Sequence, residues 1–158
     1  MFETLIIFGA NYLVVVPALA LLAYWFVLPR EKKKELALLA IIALPLGYVL
    51  ARIAGLFYFH PQPFVEWDTP PLIPHEVDNA FPSDHVALAG ALATIAFSYN
   101  QWLGVGLWFV AFGIGCARIG AGLHYPGDII VGAVLGAVAV FAAARAIYLW
   151  NSVDKREK

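Results

Sequence analysis

Five long apolar segments determine what this chain can fold into. The sequence has 158 residues, of which 62% are hydrophobic and only 13% are charged. Such a chain has too little polar side-chain surface to cover a water-soluble protein of its size. A helix needs about 20 apolar residues to cross the roughly 30 Å hydrocarbon core of a bilayer. The segments that reach or approach this length cover residues 4–28, 35–59, 83–99, 103–119 and 128–150.

These segments predict an all-α fold, a polytopic membrane helical bundle that forms a single membrane-embedded domain over residues 1–158. The first segment is expected to be a retained span. It is too long for the apolar part of a signal peptide, and Glu3 stands where a signal peptide carries positive charge. Cys116 is the single cysteine, which excludes an intrachain disulfide.

Two basic runs set the expected orientation. Of the ten Lys and Arg residues, four lie in PREKKKE, between the first two segments, and three lie in DKREK at the C-terminus. Positively charged loops favour the cytoplasmic side of a membrane, so we expect an outer N-terminus and a cytoplasmic C-terminus. Because both runs flank apolar segments, they indicate topology rather than a nucleic-acid-binding surface.

The same topology places two polar loops at the outer face. The first, residues 60–82, is rich in proline, and the second covers residues 120–127. A loop as long as the first is usually functional or disordered in so compact a chain. The four histidines lie on or beside these loops: His60, His75, His85 and His124. The sequence therefore predicts that polar chemistry is concentrated at the outer face.

The motif FPSDH begins the third apolar segment. Pro82 and Ser83 are signals for a helix start, and a capping serine alone would explain them. His85, however, falls in the first turn, where free amides and the helix dipole favour an anion. A histidine in that position is suited to meet a phosphate.

A second polar cluster, CARIGAGLHYPGD, joins the fourth and fifth segments. Arg118 has an ordinary role as a residue that reaches from a span to the interface, and Asp128 has one as a helix cap. His124 stands four residues before Asp128, and a nearby carboxylate can prepare an imidazole as a nucleophile or base. Two histidines, an arginine and a serine at one membrane face suit phosphoryl transfer without a metal or another cofactor.

Through these residues the sequence resembles the type 2 phosphatidic acid phosphatase family of membrane lipid phosphatases. The family pattern is K-x6-R-P, then P-S-G-H, then S-R-x5-H-x3-D. The second element appears here as PSDH, with Asp84 in place of glycine, and the third as Ala117-Arg118 followed by His124 and Asp128. The context LFYFHPQPFV and PHEVDNAFPSDH is most similar to the bacterial undecaprenyl-diphosphate phosphatase branch.

The resemblance implies roles for individual residues. His124 would attack phosphorus and form a phosphohistidine, Asp128 would orient it, and His85 would protonate the leaving group. Ser83 and Arg118 would bind phosphate. The expected substrate is a membrane lipid phosphate, foremost undecaprenyl diphosphate, hydrolysed at the outer face of the cytoplasmic membrane.

The first family motif departs from the pattern. Gln62 stands where the family has an arginine, and Gly55 stands where it has a lysine. Arg52 is the nearest cation and is a candidate substitute. We therefore include Gln62, Arg52 and Asp84 as candidate phosphate-binding residues.

Several alternatives stay open at this point. Phosphatidylglycerophosphate and phosphatidate share the headgroup chemistry, and the sequence leaves the oligomeric state open. A small membrane transporter and a catalytically weakened lipid-binding relative are rival functions. Four acidic residues of the long loop could be read as a metal site, but a solvated loop is the favoured interpretation, because their spacing matches no known metal loop: Glu66, Asp68, Glu76 and Asp78.

Overall fold

The protein is an all-helical bundle in a computed structural model that describes residues 1–154. The last four residues of the C-terminal basic run, on which part of the orientation prediction depends, lie outside the described residues. The helices are α1 (Phe2–Asn11), α2 (Val15–Val27), α3 (Arg30–Phe57), α4 (Pro63–Glu66), α5 (Asp84–Tyr99), α6 (Gln101–Gly120) and α7 (Pro126–Asp154).

The first apolar segment is broken, which the prediction of one continuous span over residues 4–28 did not anticipate. Helices α1 and α2 meet at an angle of 53°. Pro17 explains the break, because its nitrogen has no hydrogen to donate to Leu13 and its ring would clash with that carbonyl in a continuous helix. The turn is closed instead by a hydrogen bond from the Val16 amide to the Leu13 carbonyl, 3.0 Å long.

The structure confirms the predicted fold class. Among the described residues, three helices are long and apolar enough to cross a membrane, and a fourth span follows if the bent pair α1 and α2 is counted as one. The predicted span at residues 83–99 corresponds to α5, which is shorter, with 16 residues. The count of five spans and the orientation of the termini stay predictions.

Helix α5 lies at the centre of the bundle and packs against α2, α3, α6 and α7. Its buried residues are mostly small, so neighbouring backbones approach closely. A Cβ atom on Gly132 of α7 would lie 2.6 Å from the carbonyl oxygen of Ser83, and one on Gly136 would lie 2.2 Å from that of Ala87. Larger residues at these positions would push α7 away from the start of α5, where the polar residues lie.

Candidate active site

Arg118, His124 and Asp128 lie on and between the adjoining ends of α6 and α7. Arg118 is in the last turn of α6, and Asp128 is in the first turn of α7. The chain between them turns at Gly122, whose φ of +79° favours glycine. All three polar side chains are buried, which is costly unless they are paired or serve a function.

His124 has a defined orientation. Its Nδ1 lies 2.8 Å from the carbonyl oxygen of Ala80, and its Nε2 lies 3.1 Å from Nη2 of Arg118. A carbonyl only accepts and a guanidinium only donates, so the hydrogen is on Nδ1 and the Nε2 lone pair faces Arg118. Burial, together with the Arg118 cation, lowers the pKa of His124 to about 3. The imidazole is therefore neutral at neutral pH, as a nucleophile must be.

Asp128 is shared between two histidines. Its Oδ1 lies 2.9 Å from Nδ1 of His60. Its Oδ2 accepts a 2.7 Å hydrogen bond from the Tyr125 amide and lies 3.9 Å from Nδ1 of His124. The ring of His60 also stacks on Tyr125, with centroids 4.4 Å apart. Asp128 is thus close to His124, but its direct hydrogen bonds go to His60 and Tyr125.

Ser83 and His85 are placed by the start of α5. Ser83 is the N-cap residue, yet its side chain makes no capping hydrogen bond, so the simple capping explanation does not account for it. Within the described part of the chain, the buried Oγ of Ser83 and the buried Nε of Arg118 have no hydrogen-bond partner. Buried polar atoms are usually satisfied, so two such donors suit an anionic ligand. His85 lies in the first turn of α5 and is half-buried.

Gln62 is fully buried, with 1% of its surface exposed, and it holds the long outer loop. Its Oε1 accepts a 3.0 Å hydrogen bond from the Asp78 amide, and its Nε2 contacts the Asp78 carboxylate and, at 3.2 Å, the Glu76 carbonyl. The same nitrogen lies 3.4 Å from Nδ1 of His75. Its polar atoms are therefore engaged with the loop, and direct phosphate binding by Gln62 stays a prediction.

Arg52 and Asp84 border a second cavity. It has a volume of about 230 Å³, and Asp78 and Asn79 also line it. The exposed side chains of Arg52 and Asp84 interact electrostatically across it. Arg52 thus faces carboxylates, and its role as a substitute for the missing family cation stays a prediction.

Two groups that position the site were missed by sequence reasoning. The Ala80 carbonyl orients His124, and no side chain signals such a role. Asn79 fixes the neighbouring backbone: its Nδ2 donates to the carbonyls of Gly55 and Tyr58, and its Oδ1 accepts from the amides of His60 and Phe81. The turn-forming tendency of asparagine was the available signal for it.

Two of the four acidic side chains of the long loop have hydrogen-bond partners. Glu66 accepts a hydrogen bond from the hydroxyl of Tyr125, and Asp78 is bound to Gln62. Over residues 1–154, no group of three or more His, Cys, Asp and Glu side chains is arranged to hold a metal ion. Metal-independent catalysis stays a prediction.

An apolar groove begins beside the site. It lies between α3 and α5, has a volume of about 250 Å³, and includes Asp84 and His85 among its lining residues. The rest of its lining is mostly apolar and includes Leu44, Ala51 and Leu88. A ligand with a polar head and an apolar chain fits this combination.

Comparison with known proteins identifies relatives that match most of the chain. Residues 34–152 match the model of the PAP2 superfamily. The bacitracin transport permease protein BcrC of Bacillus licheniformis is 37% identical over 142 residues, which cover 88% of this chain and 68% of that protein. The undecaprenyl-diphosphatase BcrC of Bacillus subtilis is 34% identical over 141 residues, which cover 88% of this chain and 72% of that protein.

A solved structure is similar as well. The crystal structure of Aquifex aeolicus LpxE superimposes with a TM-score of 0.67 at 32% sequence identity, and the match covers 91% of this chain and 84% of that one. The similarity therefore extends over the bundle and is not confined to the motifs.

Proposed function

The chain belongs to the PAP2 superfamily and is a membrane lipid phosphatase, and we propose that it releases the terminal phosphate of undecaprenyl diphosphate through a phosphohistidine on His124. The observation that carries this proposal is the position of the His124 Nε2 lone pair, 3.1 Å from Arg118. It pairs a neutral nucleophile with the cation that would hold the phosphate. The proposed location is the outer face of the cytoplasmic membrane.

The first step forms a bond between Nε2 of His124 and the terminal phosphorus. The bond from phosphorus to the bridging oxygen breaks, and His85 gives its proton to that oxygen, so undecaprenyl phosphate leaves. Arg118 and the Ser83 hydroxyl bind the non-bridging oxygens, where negative charge is concentrated in the transition state. The Ala80 carbonyl stabilises the imidazolium that forms, because Nδ1 keeps its hydrogen and lies 2.8 Å from that carbonyl oxygen.

The second step returns the enzyme to its starting state. Water attacks the phosphorus, the bond from phosphorus to Nε2 breaks, and His85 takes a proton from the water. The product is inorganic phosphate. Both steps balance with the groups of this site and water alone.

The choice of lipid rests on similarity and on the groove. The Bacillus subtilis relative is named an undecaprenyl-diphosphatase, and the match to it covers 88% of this chain. The apolar groove beside His85 would take the first part of the polyprenyl chain. Phosphatidylglycerophosphate and phosphatidate are the alternative substrates, since the same site would bind their phosphate groups.

Transport is the rival of another class, because one relative is named a bacitracin transport permease. Transport sites usually lie near the middle of the bilayer. Here the candidate site residues all lie at helix ends or in the turn between α6 and α7: Ser83, His85, Arg118, His124 and Asp128. This position favours chemistry at one membrane face.

A substrate panel tests the proposal. Purified protein in detergent is given undecaprenyl diphosphate, undecaprenyl phosphate, phosphatidylglycerophosphate and phosphatidate, and free phosphate is measured. We expect the highest kcat/KM for undecaprenyl diphosphate and no turnover by His124→Ala. A higher kcat/KM for a glycerophospholipid would overturn the substrate proposal, and no release from any lipid would favour the rival functions.

A further inference from the structure

His75 lies at the edge of the site, although the resemblance assigns it no role. Its Nε2 is 3.5 Å from Nη2 of Arg118, the same nitrogen that is 3.1 Å from His124. We propose that His75 is a phosphate-binding residue, which donates a hydrogen bond from Nε2 to a phosphate oxygen as an imidazolium. This proposal deepens the proposed function and rests on it for the identity of the phosphate.

The orientation of His75 is set by its own loop. Its Nδ1 lies 2.9 Å from the carbonyl oxygen of Glu76, which only accepts hydrogen bonds. Nδ1 therefore carries a hydrogen, and Nε2 is left to face Arg118. The ring also packs beside Phe64, with centroids 6.5 Å apart. The imidazole thus reaches the site in a fixed orientation.

Gln62 holds this arrangement in place. Its Nε2 donates a hydrogen bond to the Glu76 carbonyl, which also accepts from His75, and its Oε1 accepts one from the Asp78 amide. One buried side chain therefore fixes the backbone from residue 76 to residue 78, against which His75 is oriented. In this protein the residue at the position of the first-motif arginine therefore supports a histidine. His75 would supply the positive charge that glutamine lacks.

The charges around His75 explain why its protonation would accompany phosphate binding. The Arg118 cation on α6 opposes a further positive charge on His75. His85 on α5 and the neutral His124 in the turn before α7 also face it. The Asp78 carboxylate on the same loop favours a positive charge on His75, because both side chains approach Nε2 of Gln62. A phosphate carries up to two negative charges, and an opposite charge within about 4–6 Å favours the charged form of a titratable group. Binding of phosphate would therefore draw a proton from solvent onto Nε2.

Inorganic phosphate is the probe for the test, because it needs no lipid and no turnover. Phosphate is titrated calorimetrically into the full-length protein in detergent between about pH 6 and pH 8, the range in which histidine changes charge. Wild type is compared with His75→Gln, which keeps polarity but cannot become a cation. Val77→Ala is the matched control, since this neighbour is 70% exposed.

We expect His75→Gln to weaken phosphate binding by about tenfold to a hundredfold, the usual effect of losing one hydrogen bond to a charged group. The dependence of log Kd on pH should become shallower by up to about one proton, which a purely structural role would not change. Val77→Ala should match wild type in both respects.

Equal affinity of His75→Gln and wild type would overturn the proposal. A weakened affinity with an unchanged pH dependence would overturn it as well, because His75 would then act only through the loop. The substrate proposal can be contradicted independently of this one. If the lipid panel favoured a glycerophospholipid while phosphate binding still depended on His75, only the proposed substrate would be wrong.

Discussion

Nε2 of His124 lies 3.1 Å from Nη2 of Arg118 while Nδ1 of the same ring lies 2.8 Å from the Ala80 carbonyl. The backbone therefore fixes the tautomer of His124. The Nε2 lone pair that would attack phosphorus faces the Arg118 guanidinium, which would bind the phosphate. This differs from an aspartate–histidine pair, because Asp128 lies 3.9 Å from Nδ1 of His124. The difference leads to the first prediction.

Asp128→Asn should lower kcat by about tenfold to a hundredfold. The loss should fall well short of the ~10⁴-fold effect seen where an aspartate alone fixes a catalytic histidine tautomer, because Ala80 keeps that role here. His60→Ala should have a smaller effect, since Asp128 also accepts from the Tyr125 amide. Kinetics of both single variants and the double variant should show non-additivity, because the two side chains are in contact at 2.9 Å. Purely additive effects would show that the contact does not matter for catalysis.

Gln62→Arg tests the departure from the first family motif. From the sequence alone, a restored cation would be expected to raise kcat/KM. The structure leads us to expect no gain, because the Gln62 pocket is buried and an arginine there would pair with Asp78. Overpacking should also lower the free energy of unfolding by about 1–3 kcal/mol.

Thermal unfolding in detergent and phosphate release measure these two effects. Gln101→Arg is the matched control, because Gln101 is exposed at the start of α6, and it should behave as wild type. A tenfold or greater rise in kcat/KM for Gln62→Arg would place residue 62 in direct contact with phosphate.

The sequence predicts contacts between residues that are near each other along the chain better than contacts between residues that are far apart along it. Apolar runs and helix signals are local, and they predicted the helical bundle. Pro17 was a local signal for the break between α1 and α2 that the length of the apolar run concealed. The partners of His124 and Gln62 were not predictable: the Ala80 carbonyl is 44 residues from His124, and the loop contacts of Gln62 lie 13 to 16 residues away.

The spacing of His124 and Asp128 shows a limit of motif spacing as a guide to contacts. Two side chains that are four residues apart on one helix lie on the same face of that helix. Helix α7 begins at Pro126, however, so His124 lies outside it. The motif spacing therefore indicated that the two side chains lie near each other, but it did not predict which hydrogen bonds they make.

Metal independence is tested by chelation. Arg118, Ser83 and the proposed His75 contact supply donors to phosphate, so excess EDTA should leave phosphate release unchanged. A known magnesium-dependent phosphatase in the same detergent would serve as the control for chelation. Loss of activity with EDTA and its recovery with magnesium would bring the acidic loop residues into the site.

Orientation is tested by labelling single cysteines in a Cys116→Ala background. Val77→Cys lies on the exposed part of the long loop and should react with an impermeant maleimide in intact cells. Lys32→Cys, in the basic run at the start of α3, should react only after permeabilisation. The reverse pattern would put the site in the cytoplasm and contradict the proposed outer-face activity.

Trapping the phosphoenzyme tests the central claim most directly. Undecaprenyl diphosphate with a radiolabelled terminal phosphate is mixed with the protein, the reaction is quenched with base, and the label is located by proteolysis and mass spectrometry. The account predicts base-stable, acid-labile phosphate on Nε2 of His124, and a His124→Ala variant that folds, carries no label and has lost more than about a thousandfold in kcat. Label on another residue, or phosphate release by His124→Ala at the wild-type rate, would contradict it.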